Sequence, residues 1–101
     1  NQDGIQATLM DLRTIQFDQL HIIYGASQDK NASSILSLFP DEALIHLCEF
    51  RNNRSLKEIE LLTLKNSDPR ISSVSNNVNA TVKKLMLEVP KQVLLSQQNK
   101  F

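Results

Sequence analysis

Residues 71–89 read ISSVSNNVNATVKKLMLEV, and the reading of this stretch decides the fold. Ile71, Val74, Val78, Val82, Leu85 and Val89 recur at steps of three or four, and only serine, asparagine, alanine, threonine and lysine separate the first five. Apolar residues at that spacing line one side of an α-helix, which buries the stripe and leaves the rest to water. The spacing predicts a long amphipathic helix capped by Ser72 or Ser73, with Asn76, Asn77, Asn79, Thr81, Lys83 and Lys84 on its polar back.

Working outward, the same rules predict more helix. Pro40-Asp41-Glu42 suits a helix start, because proline pre-sets φ and acids favour the positive end of the dipole. Ala43, Leu44, Leu47, Cys48 and Phe50 then form the apolar face of a helix that Asn52-Asn53 stops. Ser55-Leu-Lys-Glu58 reads as a capping box opening a short helix, closed by Asn66-Ser-Asp-Pro69. Asp29 to Asn31 cap another short helix that ends at Pro40. Asp3 and Gln6 form a capping box for an N-terminal helix running toward Gly25, although LHIIY has strand-like composition. Past Pro90, KQVLLS is a short strand candidate.

The chain has 101 residues, 41% of them apolar, which suits one globular domain burying roughly 65% of its unfolded surface. Its start at Asn1 suggests a piece of a longer protein. No apolar run approaches the roughly 18 residues that span a bilayer. Cys48 is the only cysteine, so no internal disulfide forms and a reducing compartment is expected. The zero net charge hides a split of −5 over residues 1–50 and +5 over residues 51–101. Such polarity fits a nucleic-acid face on one half, or acidic and basic surfaces that pair.

The order from Pro40 onward (helix, turn, short capped helix, loop, long amphipathic helix, strand) resembles a winged helix. With SSILSLFP, DEALIHLCEF, SLKEIELL and the 71–89 stretch, it is similar to the C-terminal winged helix of the origin-recognition and replication-initiator family, including its yeast silencing paralogue. It is also similar to the winged helix closing the middle subunit of replication protein A. The resemblance implies a mainly α fold with a small β element: a core over residues 31–101 and an N-terminal helical extension over 1–30. It implies a non-enzymatic nuclear module in chromatin silencing or DNA replication, assembling with itself or with another subunit.

Two surfaces are candidates for that work. Val93, Leu94 and Leu95 make an apolar run where a DNA-gripping wing is polar, and Ile22, Ile23 and Tyr24 offer a second apolar face; both suit a dimer contact. The alternative is duplex DNA, read by Arg70, Ser73, Asn76, Asn79, Lys83 and Lys84, since asparagine bonds adenine edges and lysine bonds guanine or phosphate. So few basic residues imply weak DNA affinity. A solvated helix back is the plain third reading.

Catalysis, a metal and a cofactor are not expected. His21 and His46 stand alone on their stretches, and Cys48 sits among apolar neighbours. The two glycines, Gly4 and Gly25, make no phosphate-binding loop. No small-molecule substrate and no membrane partner are expected either.

Overall fold

The computed structural model describes residues 19–87 and the backbone of a strand at 92–97. The architecture is α/β with a four-stranded, all-parallel sheet in the order β3-β2-β1-β4. The strands are β1 (Leu20–Gly25), β2 (Leu44–Cys48), β3 (Ile71–Ser75) and β4 (Gln92–Gln97). Helix α1 (Ala32–Leu36) connects β1 to β2, α2 (Glu58–Ser67) connects β2 to β3, and α3 (Val78–Met86) lies between β3 and β4.

Right-handed crossovers dictate the layers. The chain steps outward from β1 to β2 to β3, so α1 and α2 fall on one face. It then returns across the sheet to the far side of β1, and the same handedness puts α3 on the opposite face. The packing agrees. Leu20, Ile22, Tyr24, Ile45, Leu47 and Ile71 join Ala32, Ile35 and Leu36 of α1 and Leu61 of α2 in the larger core. Ile23 and Cys48 meet Leu85, Val78 and Val82 of α3 in a smaller one.

The winged-helix reading is therefore overturned: a parallel sheet replaces the mainly α architecture. Within that stretch, residues 71–86 are a strand, a turn and a helix, and Val89 lies outside the described residues. A β-bulge explains the false stripe. Ile45 pairs with Ile71 while His46 pairs with Ser73, so Ser72 is an extra residue in β3. The bulge turns a period of two into a step of three, and Ile71 and Val74 both reach the larger core. Val78, Val82 and Leu85 belong to the other face. Asn77, not a serine at 72 or 73, caps the helix, its side chain accepting from Ala80 N–H at 3.0 Å.

Residues 40–50 fail for a related reason: ALIHLC is a strand buried on both faces, and such strands carry no alternation. β1, inside the expected 1–30 extension, lies between β2 and β4 in the sheet. The expected N-terminal helix running toward Gly25 is corrected at its end, since Leu20–Gly25 is strand β1, and residues 3–18 lie outside the described residues. Asn31 does cap α1, accepting from Ser34 N–H at 3.2 Å. The helix within 55–67 forms, but begins at Glu58. Ser55 is instead a buried loop staple: its hydroxyl accepts from Phe50 N–H (3.1 Å) and donates to the Leu56 carbonyl (2.9 Å).

Arg70 ties α1 to β3. Its guanidinium donates to the carbonyls of Leu36 (2.9 Å) and Phe39 (2.8 Å), satisfying the free end of α1, and grips Asp68 at 2.6 Å. Asp68 holds it further through Oδ1, which accepts from Arg70 N and Nε at 3.0 Å. The hydrogen bond from Arg70 is the main cause holding the Asp68 carboxyl below its ordinary range; burial opposes it. Tyr24 is fully buried, its ring edge-on to Phe39 at 5.5 Å, and its hydroxyl has no partner among the described residues. Burial pushes that phenol well above its usual range.

Arg70→Ala should cost about 2–4 kcal/mol in urea unfolding, because it strips two carbonyls and a carboxylate of their donor. Arg70→Lys should recover only part, since an ammonium cannot reproduce the fork. A depressed carboxyl stabilises the fold above the unfolded value of about 4, and that stabilisation disappears as pH falls through the folded value. Asp68→Asn should therefore flatten the acid limb of stability against pH. An unchanged acid limb would refute this assignment.

Candidate functional site

Two regions carry polar side chains in fixed geometry. The first is the rim at the carboxyl ends of β1 and β2. The loop after β2 is strapped onto the exit of β1: Leu56 N–H donates to the Ala26 carbonyl (2.9 Å) and Gln28 N–H to the Arg54 carbonyl (2.7 Å). Ser27 and Ser55 form an antiparallel bridge, and the Gln28 side chain donates to the Ser55 carbonyl at 3.1 Å. Ser27 donates to Asp29 at 3.2 Å, and Asp29 pairs with Arg54 at 2.9 Å across the rim. That exposed pair is worth little in stability, so its interest lies in placement. Glu49 accepts from Glu58 N–H at 2.8 Å, placing a carboxylate at the start of α2.

The strand order reverses beside this rim. From β1 the chain goes to α1 on one face, while β4, on β1's other side, is reached after α3 on the opposite face. In open parallel sheets that divergence makes a crevice outside the carboxyl ends of the strands, where ligands bind.

The second region lies on the α3 face. His21 of β1 and His46 of β2 stack with ring centroids 5.2 Å apart, and His21 Nδ1 lies 2.9 Å from His46 Nε2. The chain continues at both ends: His21 Nε2 to Gln19 Oε1 at 2.9 Å, and His46 Nδ1 to Ser73 Oγ at 2.8 Å. Both imidazoles are more than nine-tenths buried. Nearby, Cys48 Sγ donates to Thr81 Oγ1 at 3.4 Å, and Thr81 donates to the Asn77 carbonyl at 3.3 Å. Burial pushes the Cys48 thiol up, against a smaller opposing effect of the Thr81 bond. Cys48 is thus a core thiol, not an activated nucleophile.

The residues singled out from sequence are scattered by this fold. Ile22, Ile23 and Tyr24 are fully buried in β1, so they are core and present no docking face. Val93, Leu94 and Leu95 lie in β4, register partners of His21, Ile22 and Ile23. Arg70 is committed to Asp68 and the end of α1, and Ser73 to His46. Asn76, Asn79, Lys83 and Lys84 are exposed, but Asn76 precedes α3, and the long helix expected to carry them on its polar back does not form. The histidine chain was missed because each residue looked solitary. The available signal was a histidine inside each of two otherwise apolar runs, LHII and LIHLC. Among the described residues there is no group of three or more His, Cys, Asp or Glu that could hold a metal, and no helix long and apolar enough to cross a membrane.

Among the described residues, this chain of partners favours one pair of tautomers. Gln19 Oε1 only accepts, so His21 carries its proton on Nε2 and accepts at Nδ1 from His46 Nε2–H; His46 Nδ1 then accepts from the Ser73 hydroxyl. Long-range nitrogen–proton correlation spectra near pH 8 should show both imidazoles in the Nε2–H form. An Nδ1–H form for either ring would break the chain.

No protein-family model matches the chain, and no curated protein matches its sequence. Among solved structures, the Mycobacterium tuberculosis folylpolyglutamate synthase complexed with ADP and AMPPCP shares the fold, with a TM-score of 0.66 at 15% identity. The likeness covers 96% of this chain and 24% of that one, so the chain spans about a quarter of the enzyme's length. At that identity the likeness is one of fold, and the fold it supports is the parallel α/β sheet rather than a winged helix.

Proposed function

We propose that this chain is one α/β domain of a nucleotide-using ligase built on the plan of folylpolyglutamate synthase, and that it supplies one wall of a nucleotide cleft. The observation that carries the reading is the fold match, which extends over nearly the whole chain and a quarter of an enzyme complexed with ADP and AMPPCP. The strapped rim after β1 supports it. Ser27, Gln28, Asp29, Asn31 and Arg54 sit beside the order reversal, held by hydrogen bonds or ion pairs in place before any ligand arrives. In this reading the chain binds and orients, and the chemistry belongs to the rest of the larger protein. The nuclear, chromatin and replication assignments rested on the winged-helix likeness and are not carried forward.

Assembly with a second chain is the other reading, and one observation favours it. Among the described residues β4 pairs with β1 alone, so its outer edge leaves backbone groups able to extend the sheet.

One sample tests both. Titrating the isotope-labelled chain with ADP and AMPPCP to about 10 mM detects binding as weak as about −3 kcal/mol. Amide shifts should concentrate at residues 27–31 and 52–55. No shift there at the highest concentration overturns the nucleotide reading. Light scattering across the same concentrations should give a monomer mass; a dimer mass, lost on substituting a lysine for Leu94, would favour the assembly reading instead.

A further inference from the structure

A cavity of about 360 Å³ opens between β3 and α3, on the face away from α1 and α2 and apart from the carboxyl-end rim. Leu44, Val74, Ala80 and Leu85 supply its apolar lining. Ser72 and Ser73 of β3, Thr81 and Lys84 of α3, and the stacked His21 and His46 all line it, and among the described residues no acid does. The volume is at the small end for ligand pockets. The bulge at Ser72 interrupts the ladder at this wall, and bulges concentrate where a strand is re-aimed toward a site.

We propose that this cavity binds the oxyanion group, phosphate or carboxylate, of a small molecule. Lys84 is the exposed ammonium on its lining, and the Ser72 hydroxyl is a donor of the kind an oxyanion needs, while the Thr81 hydroxyl is already given to the Asn77 carbonyl. The histidine chain adds a charge on demand. One added proton keeps these bonds: His46 Nδ1–H turns to donate to Ser73 Oγ, His46 Nε2–H still donates to His21, and the Ser73 hydroxyl hydrogen is released. A second proton would set N–H against N–H across 2.9 Å, so the pair holds one. Among the described residues, the groups facing this proton include Lys84 from α3, the paired imidazole and Gln19 at the β1 end, and Ser73 from β3. An oxyanion offsets both positive charges, so binding tightens as the pair takes up its proton.

The test is a nuclear magnetic resonance titration of the chain with sodium phosphate or sodium acetate, at ionic strength fixed with sodium chloride. Amides at residues 72–75 and 80–85 should shift along a saturating curve, and the anion that saturates identifies the group taken. Affinity should rise as pH is lowered and the pair takes up its proton. Lys84→Gln, at an exposed position that leaves the core untouched, should weaken binding about tenfold by removing a charge-assisted contact. Lys65→Gln on α2, outside the cavity lining, should leave binding unchanged. Shifts that stay linear to about 100 mM with both anions, or equal effects of the two lysine variants, would mean general ion screening and overturn the proposal. So would saturation that appears only at residues 27–31, which would locate the anion at the rim instead.

Discussion

Everything in this fold depends on the complete burial of β1. All six residues from Leu20 to Gly25 are buried, and the strand is hydrogen-bonded in parallel to β2 on one side and β4 on the other. A strand covered on both faces needs two separate cores, one for Leu20, Ile22 and Tyr24 and another for Ile23. Parallel pairing forbids tight hairpins, so each neighbour arrives by a helical crossover, and the fixed hand of those crossovers assigns the helices to the two faces. β4 must also pair with a strand some seventy residues earlier in the chain, so the sheet closes only after a long loop has been ordered.

That constraint explains which parts of the structure were legible in the sequence. Local chemistry was readable. Asn31 accepts from a helix N–H wherever the tertiary fold lies, KQVLLS overlaps a real strand, and LHIIY has the β-branched and aromatic content that parallel strands favour. Patterns that depend on the far side of the sheet were not. ALIHLC in β2 is apolar on both sides, which looks the same as a buried helix turn. Ile71 and Val74 share a face only because Ser72 bulges, and Val78, Val82 and Leu85 continue the apparent stripe while packing on the opposite surface. A single regular spacing was the sum of two unrelated ones. Ser55 and Glu58 matched a capping box, yet the buried loop needed the Ser55 hydroxyl more than the helix did.

The candidate sites were less legible than the fold, for the same reason. The rim is assembled from the turns after β1 and β2, whose residues meet through the Ser27–Ser55 bridge and not through any sequence spacing. His21 and His46 are 25 positions apart and touch because parallel register sets His46 beside Ile23, on the face His21 shares. Arg70 was read as a surface cation, the usual place for an arginine, while its actual work is to satisfy two carbonyls at the end of α1.

The histidine chain also bears on why this register and no other is adopted. Parallel strands with apolar residues on both faces tolerate slippage, because one buried side chain substitutes for another. A one-residue slip of β1 would carry His21 into the core of Ile45, Leu47 and Leu61 and leave the His46 ring nitrogen that it meets without that partner. Each buried polar group so orphaned costs about 1–3 kcal/mol, a large share of a small domain's stability. In the observed register the same groups satisfy one another from Gln19 to Ser73 across three strands, so their burial is compensated there and uncompensated in the alternatives. The polar chain on the α3 face thereby fixes the alignment of the apolar residues on the other, and the cavity beside it opens where the third strand bulges to bring Ser73 into reach.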